Sequence, residues 1–168
     1  MANILPIRRA GDPVLREKAR RVRRPDDSIT KIIEDMWVTM YDAPGIGLAA
    51  PQVGIPLKIV VIHVPDHEPF SLLNPEIVKR SGERLVDEGC LSVPGFRGEI
   101  ERSLKVLAKG IDPVSGKEVR IRAENDLLAE CLEHEIDHVN GILYIDYLDG
   151  PDSLVPLEDA PEDAPEGQ

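Results

Sequence analysis

The pentapeptide His134-Glu135-Ile136-Asp137-His138 is the most informative stretch of this 168-residue chain. In a helix, four residues advance about 6 Å and turn about 400°, so both imidazoles project from one face and can share a metal ion. Glu135 stands one residue round from His134, within reach of a water at that metal. H-E-x-x-H on a helix is the pattern of a hydrolytic metal site with the Glu as general base. Against it stands the plainer reading of two histidines on an ordinary helix.

Outward from this stretch, Asn125 or Asp126 is expected to cap the helix and Asn140-Gly141 to end it. A second helix is expected from Asp27 or Ser28 to about Tyr41. Its apolar residues Ile29, Ile32, Ile33, Met36, Trp37 and Met40 fall at i, i+3, i+4 spacing, and Pro44-Gly45 stops it. Trp37 on that face is read as core. Between the helices, residues 57–64, 71–73, 76–79, 99–108 and 118–123 read as strands. The last two are joined around Asp112-Pro113 and Ser115-Gly116. The small residues from Gly45 to Gly54 let the backbone approach a neighbour closely. The fold class expected is α+β, with mixed or antiparallel sheets packed around the C-terminal H-E-x-x-H helix and an N-terminal helix.

The length suits one domain, and 42% hydrophobic residues is ordinary for a globular protein. Residues 1–148 are expected to form that domain. Residues 149–168 form a proline-rich acidic tail in which Glu-Asp-Ala-Pro occurs twice, and disorder is expected there. No signal peptide is evident, and no apolar run approaches the roughly 18 to 20 residues that span a bilayer. The two cysteines, Cys90 and Cys131, are too few for a disulfide framework, and a cytoplasmic location is expected, with no membrane partner.

The net charge of −11 is unevenly placed. From Pro151 onward there are six acids and no Lys or Arg, whereas residues 1–24 hold eight cations against Asp12 and Glu17. Solvated surface is the plain reading of both segments. The functional reading is that the basic segment meets RNA or another polyanion. No RNA-binding motif accompanies it, so no specific nucleic-acid partner is expected.

Two histidines leave a catalytic metal one protein ligand short. Glu158, the one downstream carboxylate at a plausible distance, lies in the expected tail. Cys131 shares the helix face but lies seven residues from His138, roughly 10 Å of rise, and reads as core. Cys90, in Glu88-Gly89-Cys90-Leu91-Ser92 at an expected strand edge, is the better third ligand. Its alternative reading is a buried apolar thiol.

Taken in order, Gly45-Ile46-Gly47-Leu48-Ala49-Ala50-Pro51-Gln52, Glu88-Gly89-Cys90-Leu91-Ser92 and His134-Glu135-Ile136-Asp137-His138 resemble the three motifs of the bacterial peptide deformylases. Gly11-Asp12-Pro13-Val14-Leu15 and Leu73-Asn74-Pro75 resemble flanking pieces of the family, and the similarity covers about residues 4–148. The resemblance implies hydrolysis of the N-terminal formyl group of formyl-methionyl peptides, with release of formate. It implies one Fe²⁺ per chain, with Zn²⁺, Ni²⁺ or Co²⁺ as substitutes. It further implies that Cys90, His134 and His138 bind the metal and that Glu135 is the catalytic carboxylate. Gln52 and the Leu91 amide would hold the formyl oxygen, and the backbone of Ile46, Gly47 and Gly89 would pair with the peptide.

Glu133 departs from the family, which usually has Gln there, and is expected to face away from the metal. Some relatives dock on the ribosome through a basic C-terminal helix, a mode the acidic tail here does not support. Ribosome contact through the basic N-terminal segment is a reading from charge alone. Two other functions compete: an H-E-x-x-H endopeptidase, which would need a downstream ligand, and a catalytically silent metal-binding or ribosome-associated protein, which would lack Glu135 or Gln52.

Overall fold

The computed structural model describes residues 1–157. Helix α1 (Asp27–Asp42) is capped one residue earlier than the expected Asp27 or Ser28. Its cap is Asp26, whose carboxylate accepts the Ile29 N–H at 3.1 Å. Helix α2 (Leu127–Val139) is capped by Asp126 as read, and the chain turns away at Asn140 and at Gly141, where φ is +78°. A side chain at Gly141 would meet the Arg16 carbonyl oxygen at 2.6 Å, so both the left-handed backbone and the close approach require glycine.

Among the described residues, eight strands form two antiparallel sheets. They are β1 (Gly47–Ala49), β2 (Ile59–Ile62), β3 (Phe70–Ser81), β4 (Arg84–Cys90), β5 (Val93–Arg102), β6 (Lys105–Ile111), β7 (Glu118–Glu124) and β8 (Val155–Pro156). The larger sheet has the order β1-β2-β3-β6-β7 and the smaller β4-β5-β8. The expected α+β class is what the chain adopts.

The run Ile59-Val60-Val61-Ile62 is buried on both faces, which explains its unbroken apolar character. Val60 and Ile62 pack with Leu128, Leu132, Ile136 and Val139 of α2. Ile59 and Val61 pack with Ile29, Ile33, Met36 and Met40 of α1. Trp37 is half-buried, packed against that second cluster and stacked on Tyr41 at 5.8 Å between ring centroids. Cys131 is fully buried in the first cluster, as expected of a core residue.

Three strand expectations need correction. Residues 99–108 are not one strand, because the chain leaves the small sheet at Arg102 and enters the large one at Lys105. The break is made by tertiary contacts: Glu133 of α2 accepts the Ser103 N–H at 2.7 Å and its hydroxyl at 2.9 Å. Residues 71–73 and 76–79 belong to the single strand β3, which is irregular at Asn74-Pro75. Asn74 there has φ +52°, and its side chain accepts the Val22 N–H at 2.7 Å and donates to the Val22 carbonyl at 3.0 Å. Strand β4 was not expected beyond a strand edge at Cys90.

The expected tail is also corrected in its first part. Residues 151–153 form a 3-10 turn, and β8 pairs with β5 through Phe96–Pro156 and Arg97–Val155. Leu154 packs against the cluster of Cys90, Val93, Ile100 and Tyr144, which gives this stretch the apolar anchor that composition alone hides. The remainder of the expected tail, 158–168, lies outside the described residues. Among the described residues, no helix is long and apolar enough to cross a membrane.

Candidate metal centre

Helix α2 carries His134 and His138 on the face turned toward the small sheet, and the end of β4 brings Cys90 to them. The Nε2 atoms of the two histidines are 3.0 Å apart, and Cys90 Sγ is 3.3 Å from His138 Nε2. All three side chains are buried, with their ligating atoms within 4.8 Å of one another. The set brought together is the one expected.

Glu135 is fully buried, and neither of its carboxylate oxygens has a hydrogen-bond partner among the described residues. Such a group is costly to bury unless something at the site satisfies it. Burial pushes its pKa up to about 7, against the pull of His134. A thiol, two imidazole nitrogens and an orphaned carboxylate fit a divalent ion with a water beside it, because sulfur and nitrogen donors suit zinc and iron-group ions.

Gln52 closes another side. Its Oε1 accepts the Ala49 N–H at 3.0 Å, which turns Nε2 toward Ser92 Oγ (3.1 Å) and Cys90 Sγ (3.7 Å). Leu91 follows Cys90, and its side chain covers Gly45, where a Cβ would lie 2.8 Å from Leu91 Cδ1. Gly47 lies over Glu135, and a Cβ there would come within 2.4 Å of Glu135 Oε2 and 2.8 Å of Cys131 Sγ. Ile46 precedes β1, and its carbonyl accepts the His63 N–H at 2.8 Å. Gly89 sits in β4 opposite Arg97. Strands β1 and β4 are each the end strand of their sheet, so each has one unpaired edge among the described residues.

Sequence reasoning missed the support behind the histidines. Glu88 accepts a very short hydrogen bond from His134 Nδ1, which leaves Nε2 facing Cys90 and His138. Arg102, 5% exposed, grips Glu88 with two hydrogen bonds and donates a third to Asp137 at 2.8 Å. The Tyr147 hydroxyl donates to Asp137 at 2.8 Å, and its ring lies 5.1 Å from the Arg102 guanidinium carbon. Burial opposes ionisation of Glu88, but His134 and Arg102 outweigh it and hold its pKa down to about 2. Glu130, one turn before His134 on α2, is buried too, and burial together with Glu88 pushes it up to about 7. Glu88 stood in plain sight beside Cys90, but nothing in the order of residues linked it to His134 or to Arg102. Glu133 does face the β5–β6 turn rather than Cys90, His134 and His138, yet it is buried.

Fold and site together put the chain among the metal-dependent hydrolases. The profile of the Polypeptide deformylase family matches residues 4–153. The chain is 52% identical over 144 residues to a peptide deformylase of Dehalococcoides mccartyi (strain CBDB1), a match covering 85% of each. Among solved structures, it is similar to the peptide deformylase of Legionella pneumophila (TM-score 0.84, 46% identity, 89% of this chain and 88% of that one). It is likewise similar to that of Synechococcus elongatus in complex with actinonin (TM-score 0.84, 41% identity, 91% and 84%). The chain belongs to the polypeptide deformylase family. It is a hydrolase that removes N-terminal formyl groups in protein synthesis.

Proposed function

We propose that Cys90, His134 and His138 hold a single Fe²⁺ ion and that the formyl-methionyl ends of newly made polypeptides are hydrolysed there, in the cytoplasm. The observation that carries this reading is Glu135: a buried carboxylate whose oxygens both lack a partner among the described residues, next in sequence to His134 of the converging Cys90–His134–His138 group. Zn²⁺, Ni²⁺ or Co²⁺ suits the same donor set. A bound divalent ion supplies a water of lowered pKa and polarises the formyl oxygen.

The chain's own groups do the rest. Glu135 takes a proton from the water whose oxygen joins the formyl carbon, and it returns that proton to the leaving nitrogen as the carbon–nitrogen bond breaks. Formate and a free amino terminus result. Gln52 Nε2, fixed by the Ala49 amide, and the Leu91 N–H donate to the formyl oxygen as negative charge grows on it. Loss of one such donor commonly costs about 3 kcal/mol. Gln52 suits this role because it is neutral, whereas a carboxylate there would repel the charge. The unpaired edges of β1 and β4 receive the peptide as an added strand, through the backbone of Ile46, Gly47 and Gly89. A transient contact with the ribosome would bring substrate to the site.

The test is formate release from a formyl-Met tripeptide by protein purified without oxygen, with bound metal measured in the same samples. Glu135→Gln is expected to retain metal and lose nearly all turnover. Normal turnover in that variant would refute the general-base role, and no turnover in metal-replete wild type would refute the reading as a whole.

A further inference from the structure

Residues 9–24 hold seven cations and two acids in a chain of net charge −11, so the remainder carries −16. Arg8 and Arg16 pair with Asp12 and Asp146. Arg9, Lys18, Arg20, Arg21, Arg23 and Arg24 are all exposed, and none has a carboxylate at ion-pair distance among the described residues. Their charge is therefore uncompensated by close carboxylates on an otherwise acidic protein.

The backbone that bears them is fixed. The Ala19 N–H donates to the Val139 carbonyl and the Arg20 N–H to the Pro56 carbonyl, both at 2.9 Å, and the Arg20 carbonyl accepts the Lys58 N–H at 2.9 Å. Asn74 clasps Val22 from both sides. Ala19 and Val22 are buried, which turns Arg20, Arg21, Arg23 and Arg24 outward. Arg21, Arg23 and Arg24 border a groove floored by Leu73, Asn74 and Ile111. The nearest acids in sequence are Glu17, Asp26 and Asp27, and Asp26 is occupied in capping α1.

We propose that this strip is a docking surface for the phosphodiester backbone of a folded RNA. Five of the six unpaired cations are arginines, whose planar guanidinium binds phosphate through two hydrogen bonds and stacks on bases. A membrane surface fits less well, because an interfacial segment needs apolar side chains beside its cations. The large exposed hydrophobics of the described residues, among them Ile4, Tyr41, Leu85, Phe96 and Val114, all lie outside 9–24. The strip reads charge rather than sequence, in keeping with the lack of an RNA-binding motif. The proposal gives the ribosome contact of the preceding reading a surface, and its test does not depend on formyl hydrolysis.

The experiment measures binding of the full metal-loaded chain to a fluorescein-labelled RNA stem-loop across roughly 50 to 200 mM salt. If all six cations engage, affinity should fall on the order of a thousandfold over that range. The triple variant Arg21→Gln, Arg23→Gln, Arg24→Gln should bind at least tenfold more weakly, with a log–log salt slope shallower by about 2 to 3. Its formate release should match wild type, and the corresponding triple lysine variant should keep the slope. Three results would overturn the proposal. One is equal RNA binding by wild type and the glutamine variant, or none by either. Another is association with phosphatidylglycerol vesicles but not with RNA. The last is RNA binding that requires removal of residues 158–168, since the strip would then serve the chain's own acidic end.

Discussion

Arg102 grips Glu88 through two hydrogen bonds, Nη2 to Oε1 at 2.6 Å and Nε to Oε2 at 2.9 Å, and the same Oε1 accepts His134 Nδ1. One imidazole of the Cys90–His134–His138 cluster is therefore aimed by a carboxylate that is itself held by a guanidinium. A buried ion pair of this kind adds little net stability, but loss of one partner strands the other charge.

The first prediction concerns that chain of contacts. Arg102→Gln and Glu88→Gln should each weaken metal binding by about 10- to 100-fold, read by competition with a chelator. Arg102→Lys keeps the charge without the two-pronged grip and should recover only part of the loss. Unchanged affinity in both glutamine variants would show that His134 is oriented without Glu88.

Cys90 is expected to act as ligand rather than as core filler. Cys90→Ala should lose metal on purification while remaining folded, since the cavity left by one sulfur is small. Because a thiolate beside Fe²⁺ is readily oxidised, wild-type activity should decay in air and persist under argon or with Ni²⁺. Metal content equal to wild type in Cys90→Ala would remove the thiol from the ligand set.

Gly47→Ala tests the close packing over Glu135, the carboxylate proposed as general base. The new methyl would lie 2.4 Å from Glu135 Oε2, so either Glu135 or β1 must shift. A displacement of about 1 Å at a reacting group can cost on the order of a hundredfold in rate. Formate release should fall by about that factor with metal content retained. A variant with wild-type kcat and KM would show that the carboxylate has room to move.

A pH effect on stability is expected far from the metal, at Asp35. Lys31 donates to its carboxylate at 2.7 Å and the Asn3 N–H at 2.8 Å, and these hold its pKa below the usual carboxylate value. A depressed folded pKa stabilises the protein above the unfolded pKa, and the contribution is lost as pH falls through the folded value. Asp35→Asn should therefore lower Tm by about 2–4 °C near neutral pH, with the difference shrinking in acid. A pH-independent difference in Tm would assign the effect to the hydrogen bonds alone.

The sequence by itself determined helices α1 and α2, the α+β class and the shared face of His134 and His138, because each is a local pattern; Cys90 is matched to them through its resemblance to a family motif. Helical spacing of Ile29, Ile33, Met36 and Met40 states a buried face, and His134 and His138 at i and i+4 state a shared one. Tertiary structure alone decided where residues 99–108 break between the two sheets, because the break depends on Glu133 reaching Ser103 across thirty positions. It alone decided that Leu154 and β8 continue the fold past residue 148, since β5 offers an edge that only the folded sheet has. It also decided the chain from His134 through Glu88 and Arg102 to Asp137. Buried charges far apart in sequence carry no periodic signal, and the reason for each appears only when the others are beside it.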